Sequence, residues 1–189
     1  ARVAGVLDAT AVVTTATDAV GLPGLDTLGW PVEGAVPAVS RALLDGTPVR
    51  LEADATWPLP PLPVGETGEY VLRVSDRLVE ADERTVVLRP PSLVLGIGSS
   101  RGVGVEEVLD LVDRTLAAAG LSGACVTTVG TADAKATEAG IVGACAARGW
   151  ELVTFPAEAL ASVDVPNPSQ APARALGTPS VAEAAALLA

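Results

Sequence analysis

The segment TADAKATEAG, residues 131–140, carries the only lysine of the chain. Lys135 lies between Asp133 and Glu138, in a stretch that separates two apolar runs. A lysine ammonium is a point charge that can bind a carboxylate, and a neighbouring Asp or Glu can act as a general base. These three residues could therefore supply both an anion contact and a base.

A structural explanation of the same segment stays open. Asp133 could be the N-cap of the following helix, and Glu138 could be a first-turn acid that faces the helix dipole. Neither role explains Lys135, because a cation near a helix N-terminus is mildly unfavourable. We therefore expect Lys135 to have a partner, which is either Glu138 or a ligand carboxylate.

A second candidate segment, GIGSSRGVG, follows a predicted strand and precedes a predicted helix. Its backbone amides, the helix N-terminus and Arg101 could bind an anion, although a tight turn that binds nothing is the alternative. The glycine spacing does not match the dinucleotide fingerprint, so we expect no nucleotide. We expect no other cofactor either. The candidate binding residues of this segment are Gly98, Ser99, Ser100, Arg101 and Gly102.

Two later segments also contain candidate residues. In VPNPSQAP, two prolines would fix a loop that displays Asn167 and Ser169, either to a ligand or as a structural turn. In GTPSVAEAAALL, Ser180 and Glu183 have the spacing of a capping box, which predicts the start of a helix.

The residue types that are rare or missing exclude several kinds of site. Histidine is absent from the sequence, which excludes a Ser-His-Asp triad and histidine metal ligands. Cys125 and Cys145 lie in apolar runs and are predicted to be buried hydrophobic residues. A zinc site would need two further good ligands, so we expect no metal. The formal net charge of −11 repels phosphate backbones and argues against a nucleic-acid partner.

The overall composition is typical of a folded α/β protein. Hydrophobic residues make up 49% of the chain and aromatic residues 3%, a mixture that suits helices packed on a Val/Leu-rich sheet. No apolar run reaches the roughly 18 residues of a membrane span, and the front has no signal-like segment, so we expect a cytoplasmic protein without a membrane partner. Methionine is absent even at position 1, which indicates a processed chain or a piece of a longer one.

From Ser92 onward, apolar strands alternate with helices at crossover lengths. This order predicts a mainly parallel sheet with helices on both faces. Ligands of such sheets bind at the carboxyl ends of the strands, which points to the loops at 98–104, 130–135 and 164–169. The predicted strands are 92–98, 124–130 and 151–155, and the predicted helices are 105–120, 135–149, 156–163 and 180–189.

The part before Ser92 is less regular. A proline-rich connector at 57–68 forbids regular structure there, and Pro90-Pro91 is the predicted boundary. The other predicted elements are a strand at 11–15, a loop or short helix at 21–30, a helix at 36–46, and strands at 47–53, 69–76 and 84–92.

The order of four segments resembles the CbiG family of cobalamin biosynthesis, in the C-terminal domain that this family shares with the CobE proteins. The segments are GIGSSRGV, TADAKATEAG, PNPS and GTPSVAEAAALL, and the resemblance runs from about Ser92 to Ala189. Upstream, VVTTATDAVGLPGLDTLGW resembles the end of the family's N-terminal domain, and the following part resembles its variable central region. The resemblance therefore predicts domains at 1–30, 31–91 and 92–189.

The resemblance implies a fold and an activity. The implied fold is a three-layer α/β/α sandwich with a mainly parallel sheet, preceded by a smaller α/β central region. CbiG proteins are taken to be cobalt-precorrin-5A hydrolases, which open a ring δ-lactone and release acetaldehyde. The precorrin or cobalt-precorrin substrate carries acetate and propionate arms, which Arg101, Lys135 and the loop amides could bind. Glu138 or Asp133 would then be the base.

Two other hypotheses remain open beside the hydrolase. One is a CobE-like module that binds precorrins without chemistry and is fused to, or associated with, a precorrin methyltransferase. The other is an α/β domain for a different anionic ligand. The family's loop often has Cys and Arg where this chain has Ser99 and Ser100, so any chemistry of that cysteine would be missing here.

Overall fold

The computed structural model describes residues 21–53, 55, 57–167 and 180–189. The chain divides into two compact units, Ala1–Ser75 with Val79–Pro90 and Asp76–Leu78 with Pro91–Ala189. The assignment of 1–30, 31–91 and 92–189 to family domains stays a prediction, and the predicted strand at 11–15 lies outside the described residues. In the described part of the chain, no helix combines the length and the hydropathy that crossing a bilayer requires.

Among the described residues, the first unit contains a four-stranded sheet and one α-helix. The sheet has the order β1-β4-β3-β2, in which β4, β3 and β2 are parallel and β1 is antiparallel to β4. One face of this sheet packs against the helix, which buries Val39 and Leu43. The elements are β1 (Val32–Gly34), α1 (Val36–Leu44), β2 (Val49–Ala53), β3 (Tyr70–Val74) and β4 (Thr85–Leu88).

Most elements of the first unit agree with the sequence pattern. The predicted helix and the three strands at 47–53, 69–76 and 84–92 are confirmed, and the proline-rich segment 57–68 contains neither helix nor strand apart from an isolated bridge between Gly65 and Arg50. Strand β1 was missed, because three residues are too few to show an alternating pattern.

The second unit is a three-layer α/β/α arrangement, which confirms the predicted fold class. Its sheet has the order β5-β6-β7 and is parallel throughout. The strands are β5 (Leu93–Gly96), β6 (Val126–Ala132) and β7 (Glu151–Phe155). The α-helices in the part of this unit that the structure describes are α2 (Val105–Ala118), α3 (Ala139–Arg148), α4 (Ala157–Ala161) and α5 (Val181–Leu188).

Helices α2 and α3 cover one face of this sheet. Val108, Val112 and Leu116 recur at every fourth position of α2 and are buried in one cluster with residues of α3 and the strands. Both helices end where the sequence predicts, since Gly120 and Gly149 follow the last turns with φ of +67° and +71°. Glycine adopts this left-handed conformation without the penalty that a Cβ would impose.

Helix α5 covers the opposite face at the distance of direct backbone contact. A Cβ on Gly96 would lie 1.7 Å from the carbonyl oxygen of Ala182, and one on Gly130 would lie 2.5 Å from that of Ala185. Glycine in a strand commonly marks such a close approach. The two glycines of β5 and β6 therefore let the alanine-rich helix lie against the strands.

Helix α3 begins four residues later than the sequence predicts. Residues Asp133–Lys135 form a 3-10 turn instead, and Glu138 occupies the N-cap of α3 with φ of −68° and ψ of 109°. Asp133 is therefore not the N-cap of this helix. The periodicity alone could not show this start, because the side chains of Lys135 and Glu138 bond to a loop far away in the sequence.

Candidate functional site

The loop between β5 and α2, residues 97–104, is anchored at its first residue. The Ile97 amide donates to the carbonyl of Gly130 at 2.9 Å, and the Thr131 hydroxyl donates to the carbonyl of Ile97 at 2.7 Å. Thr131 is fully buried. Both partners belong to the end of β6, so the loop leaves the sheet beside the segment that carries Lys135.

Two glycines explain the path of this loop. Gly102 has a φ of +80°, a left-handed conformation that favours glycine. Gly140 lies in the first turn of α3, where a Cβ would come within 2.2 Å of the carbonyl oxygen of Val103. The loop backbone therefore rests directly on the beginning of α3.

Lys135 and Glu138 hold the tip of the loop. The Lys135 ammonium donates to the carbonyl of Ser100 and to the Glu138 carboxylate, both at 2.9 Å, and the other Glu138 oxygen accepts from the Gly102 amide at 2.7 Å. The two side chains are 16% and 10% exposed. We name these two side chains, with the backbone of Ser100 and Gly102, the rim clamp. The partner of Lys135 within the protein is thus Glu138.

The electrostatics of the rim clamp follow from these bonds. The hydrogen bond from Lys135, and then that from the Gly102 amide, hold the pKa of Glu138 below its usual value, and the charges of Lys135 and Arg101 add to this effect. A carboxylate stabilised in this way is a weak base. Arg101 itself is exposed at the tip of the loop. The role of Glu138 as a general base stays a prediction.

Asp133 lies at the start of the 3-10 turn on the same rim. Its side chain is exposed, and its backbone carbonyl accepts from the Ala136 amide at 3.1 Å. A base role for Asp133 also stays a prediction. The structure therefore brings Ser100, Arg101, Gly102, Lys135 and Glu138 together, with Asp133 on the same turn as Lys135.

A cavity of about 350 Å³ opens beside β5. Gly98, Ser99 and Ser100 line it, whereas Arg101 and Lys135 do not. The Ser99 hydroxyl is buried and has no hydrogen-bond partner among the residues that the structure describes. Five of the ten remaining lining residues belong to α2. The sequence did not identify any of the ten, because the helical spacing that directs side chains into a core also directs them into a cavity. They are Leu95, Gly96, Ile97, Val103, Glu107, Val108, Leu111, Val112, Thr115 and Ala182.

Asn167 makes its contacts with α5. Its backbone amide and its side-chain amide donate to the two oxygens of Glu183, at 3.2 Å and 2.9 Å. The Ser180 hydroxyl accepts from the Glu183 amide at 3.3 Å, which confirms the predicted cap. Ser169, the other candidate in this loop, lies outside the described residues.

The cysteines are placed as the sequence predicts. Cys125 and Cys145 are both buried, and burial raises the pKa of the Cys145 thiol. Among the residues described by the structure, no group of three or more His, Cys, Asp and Glu side chains is arranged to hold a metal ion.

Residues 93–189 match the family model described as "Cobalamin synthesis G C-terminus". The match covers more than half of the chain. This chain belongs to the CbiG C-terminal family. The family membership predicted from the four segments is thereby confirmed, and the chain is a cobalamin biosynthesis protein of the CbiG family.

Individual relatives of this CbiG-family chain come from the same pathway. A cobalt-precorrin-5A hydrolase of Priestia megaterium is 31% identical over 106 residues, which are 56% of this chain and 28% of that protein. The chain thus spans little more than a quarter of its curated relative. The solved structure of CobE, a protein from the cobalamin biosynthetic pathway, is 33% identical, covers 50% of this chain and 71% of its own, and has a TM-score of 0.48. A cobalamin biosynthesis protein G homolog from Sulfolobus solfataricus is 18% identical, with coverages of 100% and 57% and a TM-score of 0.42.

The four segments that carry the CbiG resemblance contact one another. The rim clamp joins GIGSSRGV to TADAKATEAG, and the bonds of Asn167 to Glu183 join PNPS to GTPSVAEAAALL. The close approach of Gly96 to Ala182 joins the first segment to the last. The segments therefore form one connected structure at and beside the carboxyl edge of the sheet.

Proposed function

We propose that this CbiG-family chain binds a precorrin or cobalt-precorrin at the loop between β5 and α2 and takes part in opening the ring lactone. The observation that carries the proposal is the shared location of Arg101, Lys135 and the loop amides after the carboxyl ends of neighbouring parallel strands. Ligands of open α/β sheets bind at this edge. The name of the relative, cobalt-precorrin-5A hydrolase, supports the choice of substrate.

The charge of the ligand agrees with this location. A precorrin carries several carboxylates, and a chain with a net charge of −11 needs a local positive site to bind them. Arg101 is exposed and can form two parallel hydrogen bonds to one carboxylate. The N-termini of α2 and α3 both follow this edge, and neither has a side-chain cap. The proposed ligand contacts are Gly98, Ser99, Ser100, Arg101, Gly102, Lys135, Asn167 and Ser169.

The proposed chemistry is addition of water to the lactone carbonyl. A carboxylate takes a proton from the attacking water, and backbone amides of the loop stabilise the oxyanion that develops on the carbonyl oxygen. Collapse of the adduct breaks the ring C–O bond and gives a carboxylate and a hydroxyl group. Loss of the hydroxyl proton and cleavage of the adjacent C–C bond then release acetaldehyde, and the bonding electron pair passes into the conjugated macrocycle.

Of the two candidate bases, Asp133 is favoured over Glu138. Both oxygens of Glu138 already accept hydrogen bonds, and its pKa is lowered, whereas Asp133 is exposed on the same rim. The test is incubation of the full chain with cobalt-precorrin-5A and measurement of acetaldehyde. We expect release by the native protein and loss of release in Asp133→Asn. A folded native protein that yields no acetaldehyde would contradict the hydrolase proposal.

A second candidate function is precorrin binding without chemistry, in association with a precorrin methyltransferase. The observation that favours it is the full pairing of Glu138, which leaves the rim clamp better suited to hold a loop than to transfer a proton. An absorbance titration with hydrogenobyrinic acid distinguishes the two functions. Saturable binding, together with no acetaldehyde from cobalt-precorrin-5A, would favour the binding module.

A further inference from the structure

We propose that Lys135 and Glu138 are positioning residues, which fix Arg101 for its contact with a carboxylate of the ligand and do not touch the ligand themselves. This inference rests on the proposed function, because it assumes that the loop is the contact. It revises the part of that proposal in which Lys135 binds the substrate.

Two hydrogen bonds of the rim clamp reach the backbone on either side of Arg101. Lys135 holds the carbonyl of residue 100, and Glu138 holds the amide of residue 102, at 2.9 Å and 2.7 Å. These two backbone groups flank Arg101 on either side. Fixing both of them restricts the backbone torsions of Arg101 and so the direction in which its side chain leaves the loop.

The charges of Lys135 and Glu138 neutralise each other. The Lys135 ammonium and the Glu138 carboxylate lie 2.9 Å apart and compensate each other. A ligand carboxylate that approached Lys135 would also approach Glu138, and two anions so close repel each other. The side chains are only 16% and 10% exposed, so little of either is presented to solvent. Arg101, in contrast, is exposed.

The loop is also supported by contacts outside the rim clamp. Gly140 allows the carbonyl of Val103 to lie against the first turn of α3, and Thr131 fixes the carbonyl of Ile97. The loop is therefore held at its beginning and its end independently of the rim clamp. Loss of the clamp should loosen the tip, residues 100–102, and leave the rest of the unit folded.

The experiment compares charge-neutral substitutions in the full chain, with hydrogenobyrinic acid as the probe. Glu138→Gln and Lys135→Gln should each weaken binding by about tenfold, because the tip must then be ordered on binding. Their combination should weaken binding no further than either alone, since both remove the same clamp. Lys135→Arg keeps the charge and the donors and should restore most of the affinity.

The sign of the Glu138→Gln effect decides between positioning and direct contact. If Lys135 bound the ligand itself, removal of the neighbouring negative charge would leave binding unchanged or strengthen it, and either result would overturn the inference. Matched controls are Asp113→Asn and Arg148→Gln, which break an exposed ion pair of 2.6 Å between α2 and α3. These variants should change affinity by less than about twofold.

Amide hydrogen exchange provides a readout that needs no ligand. In Glu138→Gln, the amide of Gly102 should exchange faster, with an unchanged midpoint of thermal unfolding. Unchanged exchange at this amide would overturn the inference by itself. A native protein that does not bind hydrogenobyrinic acid would instead remove the proposed function, and the exchange result would still show whether the clamp orders the tip.

Discussion

The second unit has two supports near the carboxyl edge of its sheet, and they work by different physics. On one side, α5 lies against the strands through Gly96 and Gly130, with no side chain between the backbones. On the other side, Lys135 and Glu138 hold the loop tip through two hydrogen bonds to its backbone and form an ion pair with each other. The first support is a steric fit, and the second is electrostatic.

The two supports differ in how they respond to substitution, pH and ionic strength. Overlap of a new Cβ with backbone atoms rises steeply with approach and is independent of pH and salt, so the glycine contact tolerates almost no change. An ion pair at a partly exposed rim responds to protonation and to ionic strength. The glycine contact therefore constrains how α5 packs on the sheet, and the rim clamp fixes the tip of the loop.

The largest effect is expected for Gly96→Ala. The added Cβ would lie 1.7 Å from the carbonyl oxygen of Ala182, a backbone atom that cannot move aside alone. We expect the free energy of unfolding to fall by about 3 kcal/mol or more, measured by urea unfolding followed by circular dichroism. Gly104→Ala is the control, because its Cβ would meet nothing within 4 Å. Equal stabilities of the two variants would show that α5 does not lie against β5.

A smaller effect is expected for Thr131→Val, which tests the anchor at the first residue of the loop. The buried Thr131 hydroxyl donates to the carbonyl of Ile97 at 2.7 Å, and valine leaves that carbonyl without this donor. The expected loss is ~1–3 kcal/mol in the free energy of unfolding. Thr127→Val, at an exposed position of the same strand, should change stability by less than about 0.5 kcal/mol. A Thr131→Val variant as stable as the native protein would show that this hydrogen bond does not anchor the loop.

The N-cap of α5 at Ser180 should contribute to the free energy of unfolding about as much as a typical helix cap. The Ser180 hydroxyl accepts from the Glu183 amide, so Ser180→Ala should lower the free energy of unfolding by ~1 kcal/mol in thermal or urea unfolding. Ser162→Ala removes a hydroxyl that donates to the Ala159 carbonyl at the exposed end of α4 and serves as the control. If both variants lost the same stability, the cap would have no special role in holding α5 against the glycines.

The smallest effect is expected from pH, and it should separate the two supports most clearly. The pKa of Glu138 is lowered in the folded protein, so its ionised form stabilises the clamp above the unfolded pKa, and this contribution is lost as pH falls through the folded pKa. Protection of the Gly102 amide from exchange, corrected for the intrinsic rate, should be constant near neutral pH. It should decline only below the ordinary glutamate value of 4.5.

Two comparisons check this pH dependence. The decline in protection of the Gly102 amide at low pH should be absent in Glu138→Gln. Amides in the middle of β6 should not show this decline, because the glycine contact contains no titratable group. A Gly102 amide whose protection does not change down to pH 3 would show that the Glu138 bond does not control the tip. Protection that falls already above pH 5 would contradict the lowered pKa.

The regular elements could be predicted because they depend on short-range patterns. Val108, Val112 and Leu116 recur at helical spacing in α2, and glycines end α2 and α3 as predicted. The start of α3 was wrong, since Lys135 and Glu138 are occupied by a loop about 35 residues earlier and not by the helix. Strand β1 was missed because its place is decided by pairing with β4.

The sequence named several residues that the structure brings together, but it did not show which partner each of them has in the fold. The sequence offered two partners for Lys135, and the protein supplies Glu138 as one of them. It gave no sign that the candidate contact Asn167 would bond to Glu183, because this pair joins an irregular loop to a helix sixteen positions away. The apolar lining of the cavity could not be distinguished from core by its spacing alone.

The sequence by itself determined the alternation of strands and helices, the glycines at the helix ends and the family, because these properties depend on residue types within short segments. Only the tertiary structure decided that Lys135 and Glu138 hold the backbone on either side of Arg101, and that Gly96 and Gly130 admit α5. The physical reason is that such contacts depend on which strands become neighbours in the sheet. That order is set by the packing of the whole unit and not by any local pattern.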